Sequence, residues 1–358
     1  MFKINHVKPQ LSLDRWKRIG DTEGKNSEVW IARDTQLDQV MILKKITKQS
    51  LEQQLVEDYF SEAKMLNESK HPHVMPIHYS AEDDDNVYIT MPYYETGSLN
   101  SLINDRFLST REILRYSLDF LSGLLYIHIK GLLHLDIKPT NVIIDYSGKA
   151  ILTDFGLSKY LNENGFADQQ RQYVAHKSPE SYITTDKTVS DDIYQAGLTL
   201  YRMCNGNKDF DAQFDDLKSS LNKQEIEAKI NKGLFPNRKV YLPHIPTKLR
   251  KVINKMLNPD ISKRYQDVLS IINDLSKIDE TMDWKYVIIG EQTFEWTYDG
   301  ENSMITVKIE HVEEKYLTSV SKYVKNSKNT QKQPKMANSS NTLSEALAHV
   351  ETIFPQYA

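Results

Sequence analysis

The spacing of apolar residues changes twice along this chain of 358 residues. Up to about residue 94, segments such as SEVWIARD and VMILKKI have the short, strand-like pattern, interrupted at 51–68 by apolar residues that recur with a helical period. From the long helical segment 111–131 onward, helical spacing dominates as far as about residue 278, and strand-like alternation then returns. The sequence therefore predicts an α+β protein with a β-rich part, a helical part and a second β-rich part.

The last part of the chain is predicted to form a small appended unit. WKYVIIG, TFEWTYDG and SMITVKIEH alternate apolar and polar residues, and Asp299-Gly300 is a candidate hairpin turn. Thr342 and Glu345 have the spacing of a capping box before LSEALAHVETIF. Residues 315–341 contain six Lys and no acidic residue among Ser, Asn and Gln, a composition that favours flexibility. We expect a β-rich part over 281–314, a Lys-rich flexible linker over 315–341 and an amphipathic helix over 342–358.

Composition excludes several classes of protein. A hydrophobic content of 39% and a net charge of -4 give no global basic field for nucleic acid. No window approaches the roughly 20 apolar residues of a membrane-spanning helix, and the first ten residues lack the apolar core of a signal peptide. Cys204 is the only cysteine, which excludes an intramolecular disulfide and a cysteine zinc cluster. We expect a cytoplasmic protein that does not enter a membrane.

The segment HLDIKPTN, residues 134–141, carries the chemistry. It places Asp136, Lys138 and Asn141 on one loop, and TDFG places Asp154 18 residues beyond Asp136. Phosphoryl transfer needs such a set, because a carboxylate must accept the proton of the attacking hydroxyl while oxygen ligands bind magnesium. One cluster of this kind is usually a solvated loop, but several further motifs follow in a fixed order.

Together these motifs resemble the eukaryotic-type (Hanks-type) serine/threonine protein kinase family, whose loop reads HRDxKxxN and is followed by DFG. The resemblance implies that Asp136 is the catalytic base and that Lys138 contacts the γ-phosphate. It implies Asn141 and Asp154 as the metal ligands. ATP and Mg2+, or Mn2+ in its place, are the implied cofactors, and proteins are the implied substrates.

The resemblance covers about residues 14–275 and implies a bilobal protein-kinase-like fold with a β-rich N-lobe and a helical C-lobe. The small β-sheet and helix unit described above is appended to this fold. The implied organisation is an N-terminal extension at 1–13 followed by a kinase domain at 14–280, with an N-lobe at 14–91, a hinge at 92–96 and a C-lobe at 97–280.

MILKKI resembles the VAIKKI strand of the family, which implies Lys44 as the residue that binds the α- and β-phosphates and Glu62 as its helix partner. Lys44 is preferred to Lys45 because adjacent strand residues face opposite sides, and Ile42 and Ile46 share the face of Lys44. The glycine loop is the weakest match, since its glycines are widely spaced and a serine replaces the third. The full implied ATP-binding set is Ile19, Gly20, Gly24, Ser27, Val29, Ile42, Lys44, Glu62, Met91, Tyr93, Tyr94 and Ile143.

Other matching residues are structural in the family. His134 packs against the Phe of DFG, the residue matching Asp192 braces the backbone of the catalytic loop, and the Glu of SPE pairs with a distant Arg. In this sequence the structural set is His134, Phe155, Gly156, Glu180, Asp192 and Arg264.

Leu135 stands where the family has an Arg that binds a phosphorylated side chain of the activation segment. Between Lys159 and Lys177 there is no Ser or Thr, only Tyr160 and Tyr173. We therefore predict a non-RD kinase that is not controlled by Ser/Thr phosphorylation of this segment.

Two further questions remain open at this point. A pseudokinase that acts as a nucleotide-binding switch or scaffold is the alternative function, although Lys44, Asp136, Asn141 and Asp154 are all retained. Residues 281–358 could bind a regulatory partner. Nucleic acid is not favoured there, because few aromatic residues interleave with the lysines.

Overall fold

The computed structural model of the chain describes residues 12–19, 27–51, 70–155, 158–160, 162, 165–168, 174–290 and 292–357. The chain divides into two compact units, residues 1–95 and 96–358, and the boundary falls within the predicted hinge. Each unit has its own cluster of buried apolar side chains. The predicted α+β class, with its appended sheet and helix, is confirmed.

The described part of the first unit is an antiparallel sheet in the order β1-β2-β3-β5-β4. Ile46, Val87 and Ile89 of the inner strands form its buried cluster. A short 3-10 turn, Lys48–Leu51, follows the third strand, and beyond Leu51 the helix predicted over 51–68 lies outside the described residues. The strands are β1 Leu13–Ile19, β2 Ser27–Asp34, β3 Gln39–Thr47, β4 Tyr79–Glu82 and β5 Asn86–Pro92.

The second unit begins with a helical part. Its described helices are α1 Leu99–Asp105, α2 Thr110–Ile129, α3 Val189–Asn205, α4 Asn207–Ser220, α5 Lys223–Asn231, α6 Thr247–Met256 and α7 Val268–Leu275. Capping boxes start both long helices: Ser109 with Glu112 at α2, and Thr188 with Asp191 at α3. None of the helices in the described ranges combines the length and the apolarity needed to cross a bilayer.

The centre of the helical part is α3, in which every residue from Ser190 to Asn205 is buried. A helix buried on all sides can carry polar residues only if they are hydrogen-bonded. The helix ends at Gly206, whose φ of 85° belongs to the left-handed region that favours glycine. As a result, the polar side chains of α3 are fixed donors and acceptors for the loops around it.

Three short strand pairs and several 3-10 turns hold the loops of this unit. The strands are β6 Leu132–Leu133, β7 Val142–Ile144, β8 Ala150–Leu152, β9 Lys159–Tyr160, β10 Ala167–Asp168 and β11 Asp186–Lys187. They pair as β6 with β9, β7 with β8 and β10 with β11. The 3-10 turns are Pro139–Asn141, Val174–His176, Glu180–Tyr182 and Ile261–Lys263.

The end of the chain forms an antiparallel sheet covered by one helix. Trp284, Trp296, Ile305 and Val307 point to the face that packs against Val350 and its neighbours at the helical end of the chain. The capping box at Thr342 and Glu345 is present. The elements are β12 Trp284–Ile289, β13 Thr293–Asp299, β14 Ser303–Val312, β15 Lys315–Val324, β16 Asn329–Lys332, β17 Asn338–Ser340, α8 Leu343–Glu351 and the 3-10 turns Pro334–Met336 and Phe354–Gln356.

The prediction of a flexible linker over 315–341 is wrong. Residues 315–324 form β15, which pairs along its whole length with β14 and also with β16 and β17. Thr318 and Val320 are buried within this strand. The sequence suggested disorder because residues 315–341 include few apolar residues. The strand β15 is nevertheless stabilised by its backbone hydrogen bonds to β14 and by the two buried side chains.

The appended sheet packs against the helical part of the same unit. The rings of Phe107 and Tyr286 are 4.6 Å apart. Arg111 donates to the carboxylate of Asp283, with Nη2 2.8 Å from Oδ2. Glu351, the last residue of α8, forms an ion pair with Arg250 at 3.1 Å. Both apolar and charged contacts therefore connect the appended sheet to the helical part.

Limited proteolysis tests this correction. In the native protein we expect the peptide bond after Lys322 to resist trypsin, because Lys322 lies in β15 between two paired strands. A synthetic peptide of residues 315–335 is the control and should be cut there rapidly. Mass spectrometry of the early digest gives the cleavage order. Equal rates in the protein and the peptide would restore the flexible linker.

Candidate active site

The loop of residues 134–141, between β6 and β7, brings together the two predicted catalytic side chains and one predicted metal ligand. The carboxylate of Asp136 is buried, and the Nζ atom of Lys138 lies 3.1 Å from its Oδ2 atom. Asn141 donates from Nδ2 to the same Oδ2 atom at 2.9 Å and to the carbonyl oxygen of Asp136 at 2.8 Å. The carboxylate of Asp136 is therefore oriented by a cation and by an amide.

Burial raises the pKa of Asp136, Lys138 opposes this shift, and the nearby carboxylate of Asp154 adds to it. A carboxylate with a raised pKa is a stronger base than an exposed aspartate. The ion pair with Lys138 at the same time favours the ionised form. The two effects leave Asp136 suited to accept a proton.

Asn141 and Asp154 are the predicted metal ligands. Asn141 donates both of its bonds to Asp136 from its amide nitrogen, so the amide oxygen, which lies 3.5 Å from Oγ1 of Thr140, is the atom that could bind a cation. Asp154 follows β8, and the N–H of Thr153 donates to the carbonyl of Asn141 at 2.9 Å, which ties the two segments together. No group of three or more His, Cys, Asp or Glu side chains suited to a metal occurs within the described ranges. One carboxylate and one amide oxygen nevertheless fit Mg2+, which takes few protein ligands and completes its shell with phosphate and water oxygens.

The backbone of this loop is fixed by two side chains of α3. Asp192 accepts from the N–H of His134 at 2.8 Å and from the N–H of Leu135 at 2.7 Å. Gln195 accepts from the N–H of Ile137 at 2.8 Å and donates to the carbonyl of Leu135 at 2.9 Å. Leu135 has a φ of 64°, a left-handed conformation that a leucine adopts only when its surroundings impose it. These four bonds supply that constraint.

Asp192 has a further partner, since Nε2 of His128 lies 2.8 Å from its Oδ2 atom. Asp192 was predicted from the sequence, whereas Gln195 and His128 were not. The available signal for Gln195 was its position, because it lies three residues after Asp192 and therefore on the same face of the helix. His128 offered no such signal, because its contact depends on how α2 packs against α3.

His134 has the structural position that the sequence predicted. Its Nε2 atom lies 3.0 Å from the carbonyl of Thr153, and its ring centroid lies 4.9 Å from that of Phe155. A carbonyl can only accept, so Nε2 carries the proton and Nδ1 accepts from the N–H of Asp136 at 3.3 Å. Burial lowers the pKa of His134. A neutral His134 thus links the loop to the residues just before Asp154.

Glu180 and Arg264 also form the predicted pair. The guanidinium of Arg264 donates to both carboxylate oxygens of Glu180, at 2.7 and 3.1 Å. It also donates to the carbonyls of Ser190 and Asn258, at 2.8 and 3.0 Å. The Arg264 side chain is completely buried, so these partners are needed to compensate its desolvation. The bonds attach the SPE segment to the beginning of α3.

In the first unit, several predicted ATP-binding residues share one face of the sheet. Ile19 is opposite Val29, Val29 is opposite Lys44, and Lys44 is opposite Ile89. Directly opposed residues of antiparallel strands point to the same face, so these side chains form a row with Lys44 inside it. Ile42 and Met91 are another opposed pair on this face.

Lys45 lies on the other face, where its Nζ atom is 4.0 Å from the carboxylate of Glu28. Lys44 is buried, while Lys45 is partly exposed. The geometry of the sheet therefore separates the two lysines in the way that the strand period predicted. Binding of ATP by Lys44 itself stays a prediction.

The remaining site residues divide into two groups. Tyr93 and Tyr94 follow β5 and are half-buried, and Ile143 is the middle residue of β7 in the second unit. Ser27 begins β2, but its side chain is not described. The predicted residues that fall outside the described ranges are Gly20, Gly24, Glu62, Gly156 and Tyr173.

Leu135, the departure from the family pattern, is completely buried. It forms an apolar cluster with Leu133 and with Ala167 of β10, and Val189 packs against this cluster. In addition, β10 is paired with β11. A described part of the activation segment is therefore attached by an apolar contact at the position of the missing arginine.

Residues 14–276 match the family model described as protein kinase domain. Serine/threonine-protein kinase PknD of Protochlamydia amoebophila is 27% identical over 335 residues, which cover 83% of this chain and 33% of that protein. Probable serine/threonine-protein kinase PknB of Lactococcus lactis is 27% identical over 269 residues, covering 74% of this chain and 42% of that protein. Serine/threonine-protein kinase PrkC of Bacillus subtilis is 26% identical over 247 residues, covering 68% of this chain and 37% of that protein.

The chain thus spans less than half the length of each of these relatives. The matching model, in contrast, extends over most of this chain. The loop of Asp136, Lys138 and Asn141 and the pair of Glu180 with Arg264 lie within the matched region. The chain therefore belongs to the protein kinase domain family, and its resemblance to Hanks-type serine/threonine kinases is confirmed.

Proposed function

We propose that this chain transfers the γ-phosphate of ATP to serine and threonine hydroxyl groups of proteins. The observation that carries this proposal is the buried carboxylate of Asp136, oriented by Lys138 and Asn141 on one loop. That arrangement supplies a base for the acceptor hydroxyl and a cation beside it. Membership of the protein kinase family and the names of the relatives support the same activity.

Each residue has a role in the proposed reaction. The carboxylate of Asp136 orients the acceptor hydroxyl and accepts its proton as the oxygen attacks the γ-phosphorus, and ADP leaves. Lys138 contributes positive charge where the transferred phosphoryl group gains negative charge. Mg2+, bound by Asn141 and Asp154, would neutralise phosphate charge. Lys44 of the first unit is proposed to bind the α- and β-phosphates.

The alternative, a pseudokinase, is less well supported. Such a protein would be expected to have lost a catalytic group or its orientation. Asp136, Lys138 and Asn141 are present and in mutual contact, and the pKa of Asp136 is raised by burial, as suits a base. Lys138 and Pro139 favour serine and threonine over tyrosine as acceptors, as the sequence indicated.

Three finer points concern the substrate, a partner and the location. Protein substrates are implied, but QYVAHKSPE departs from the family's docking segment, so we propose no target sequence. We propose that residues 281–358 bind a regulatory partner, because their folded sheet is attached to the helical part of the second unit. A cytoplasmic location stays a prediction from the sequence.

The activity is tested by removing the base. Asp136→Asn should lower incorporation of labelled phosphate into casein by about 10²- to 10⁴-fold, because the amide cannot accept the proton. Asp154→Ala should have a similar effect through the loss of a metal ligand. Asp211→Asn, on an exposed position of α4, is the matched control and should be fully active. Equal incorporation by wild type and Asp136→Asn would rule out Asp136 as the catalytic base, and no incorporation by either protein would leave the pseudokinase.

The pH dependence of the rate tests the role of Lys138. Because burial raises the pKa of Asp136 and Lys138 opposes the rise, Lys138→Met should raise this pKa further. As the pH is lowered, Asp136 of the variant would then become protonated, and therefore inactive, at a higher pH than in the wild type. The acid limb of kcat/KM against pH should move to higher pH, with a rate loss of about 10²-fold. Lys149→Met, on an exposed turn, is the control, and a shift to lower pH in Lys138→Met would contradict the assignment.

Regulation is proposed to differ from that of kinases with an arginine before the catalytic aspartate. The apolar cluster of Leu135 with Ala167 attaches the segment without a phosphate, and the central part of the segment contains no Ser or Thr. Treatment with a broad-specificity phosphatase should therefore leave the initial rate unchanged, with mass spectrometry to confirm dephosphorylation. A loss of rate that follows dephosphorylation of residues 159–177 would show that a phosphate is required there.

A further inference from the structure

The backbone N–H and C=O groups of Ile137, which lies between Asp136 and Lys138, are both held by buried side chains. Ile137 is completely buried, and its N–H donates to Gln195 at 2.8 Å. Its carbonyl oxygen lies 3.0 Å from Nδ1 of His176. The two residues flanking Ile137 form the ion pair at 3.1 Å that defines the proposed site. A rotation of either peptide plane next to Ile137 would change the separation of these two side chains.

His176 can make this contact in only one tautomer. The Nη1 atom of Arg202 lies 3.0 Å from Nε2 of His176, and a guanidinium has donors but no acceptor. Nε2 is therefore the acceptor, and the proton on Nδ1 is donated to the carbonyl of Ile137. Burial and the charge of Arg202 keep the pKa of His176 well below its usual range, so the ring stays neutral. The arginine thus fixes which nitrogen of His176 faces the loop.

Arg202 is itself held in place by its surroundings. It lies on α3 and is 7% exposed. Its Nε atom donates to Oδ1 of Asn207 at 2.8 Å, and its Nη2 atom lies 3.3 Å from Oδ1 of Asn100. The guanidinium also stacks over the ring of Phe210, 4.9 Å from its centroid. These contacts come from α1 and α4, so the orientation of Arg202 is set by the packing of three helices.

We propose that His176 and Arg202 are positioning residues for phosphoryl transfer, acting as a two-residue relay that fixes the Ile137 carbonyl and hence the spacing of Asp136 and Lys138. The effect on rate rests on the proposed kinase activity, whereas the effect on the loop does not. His176 ends the 3-10 turn Val174–His176, just before the SPE segment. The relay therefore also connects the catalytic loop to the segment that precedes Glu180.

Substitutions of His176 can remove the two bonds one at a time. His176→Asn places an amide nitrogen near the position of Nδ1 and retains a donor to the Ile137 carbonyl. His176→Gln places its amide near Nε2, which retains a partner for Arg202 but loses that donor. His176→Phe removes both bonds and keeps a ring of similar size. Arg202→Met removes the guanidinium and keeps a long apolar chain.

Arg238→Met is the matched control. Arg238 is half-buried in the same unit and donates to the carbonyls of Gly233 and Leu257, at 3.0 and 3.2 Å. These carbonyls lie outside the catalytic loop. Its removal should lower the melting temperature without changing the loop, which separates a loss of stability from a loss of positioning.

Two measurements on the full-length chain decide the proposal. The first is hydrogen exchange of the peptide covering residues 134–141, which needs no phosphate transfer. Exchange should be faster in His176→Phe, His176→Gln and Arg202→Met, and close to wild type in His176→Asn and Arg238→Met. The second is kcat and KM for ATP, with casein as acceptor. For His176→Phe and His176→Gln, kcat should fall by about 10²-fold with little change in KM, because small misplacements of catalytic groups have effects of this size. For His176→Asn the loss should stay below about tenfold.

Equal exchange rates in His176→Asn and His176→Gln would overturn the relay, as would kcat losses that follow melting temperature across all variants. If His176→Phe does not fold, the Asn and Gln variants give the decision alone, because both keep a polar side chain. A wild type without kinase activity would refute the proposed function, and the exchange data would still accept or reject the relay.

Discussion

The carboxylate of Asp192 is the contact on which the catalytic loop depends. It is completely buried and accepts backbone N–H bonds from His134 and Leu135, together with a contact from His128. A buried carboxylate without such donors would be strongly destabilising, so the loop and the helix stabilise one another. The left-handed backbone of Leu135 follows from this arrangement, because Asp192 and Gln195 bind its N–H and C=O groups. Without these hydrogen bonds, the unfavourable left-handed conformation of Leu135 would lose the compensation that they provide.

The proposed chemistry is built on that fixed backbone. Asp136 is close to Lys138 and Asn141 because the loop between β6 and β7 is short and both of its ends are anchored. Preorganisation of this kind removes the cost of reorienting groups during the reaction. Burial then raises the pKa of the carboxylate, while the charge of Lys138 opposes this shift. Geometry and electrostatics thus support the same role for Asp136.

Leu135 replaces the expected arginine, and it contacts the activation segment through apolar packing instead of through a charge. The catalytic groups Asp136, Lys138 and Asn141 are retained. A leucine in this place is buried with Ala167, an interaction that does not respond to phosphate. The appended sheet is likewise attached through Phe107 and Tyr286 and through a charged pair at Arg111. The proposals on regulation and on partner binding rest on these two attachments.

The sequence by itself determined the elements and the chemistry that depend on local spacing. Periodicity predicted the sheet, the long helices and the appended unit, and the motif spacings identified Asp136 and its loop partners, because each pattern is complete within a few residues. Only the tertiary structure decided the contacts between distant segments. Gln195 reaches Ile137 across 58 residues of sequence, and His176 reaches the same residue across 39. The Lys-rich residues 315–324 likewise became a strand only because β14 lies beside them. Composition and periodicity describe each segment alone, whereas a hydrogen bond needs a partner that only the packing of the whole unit brings near.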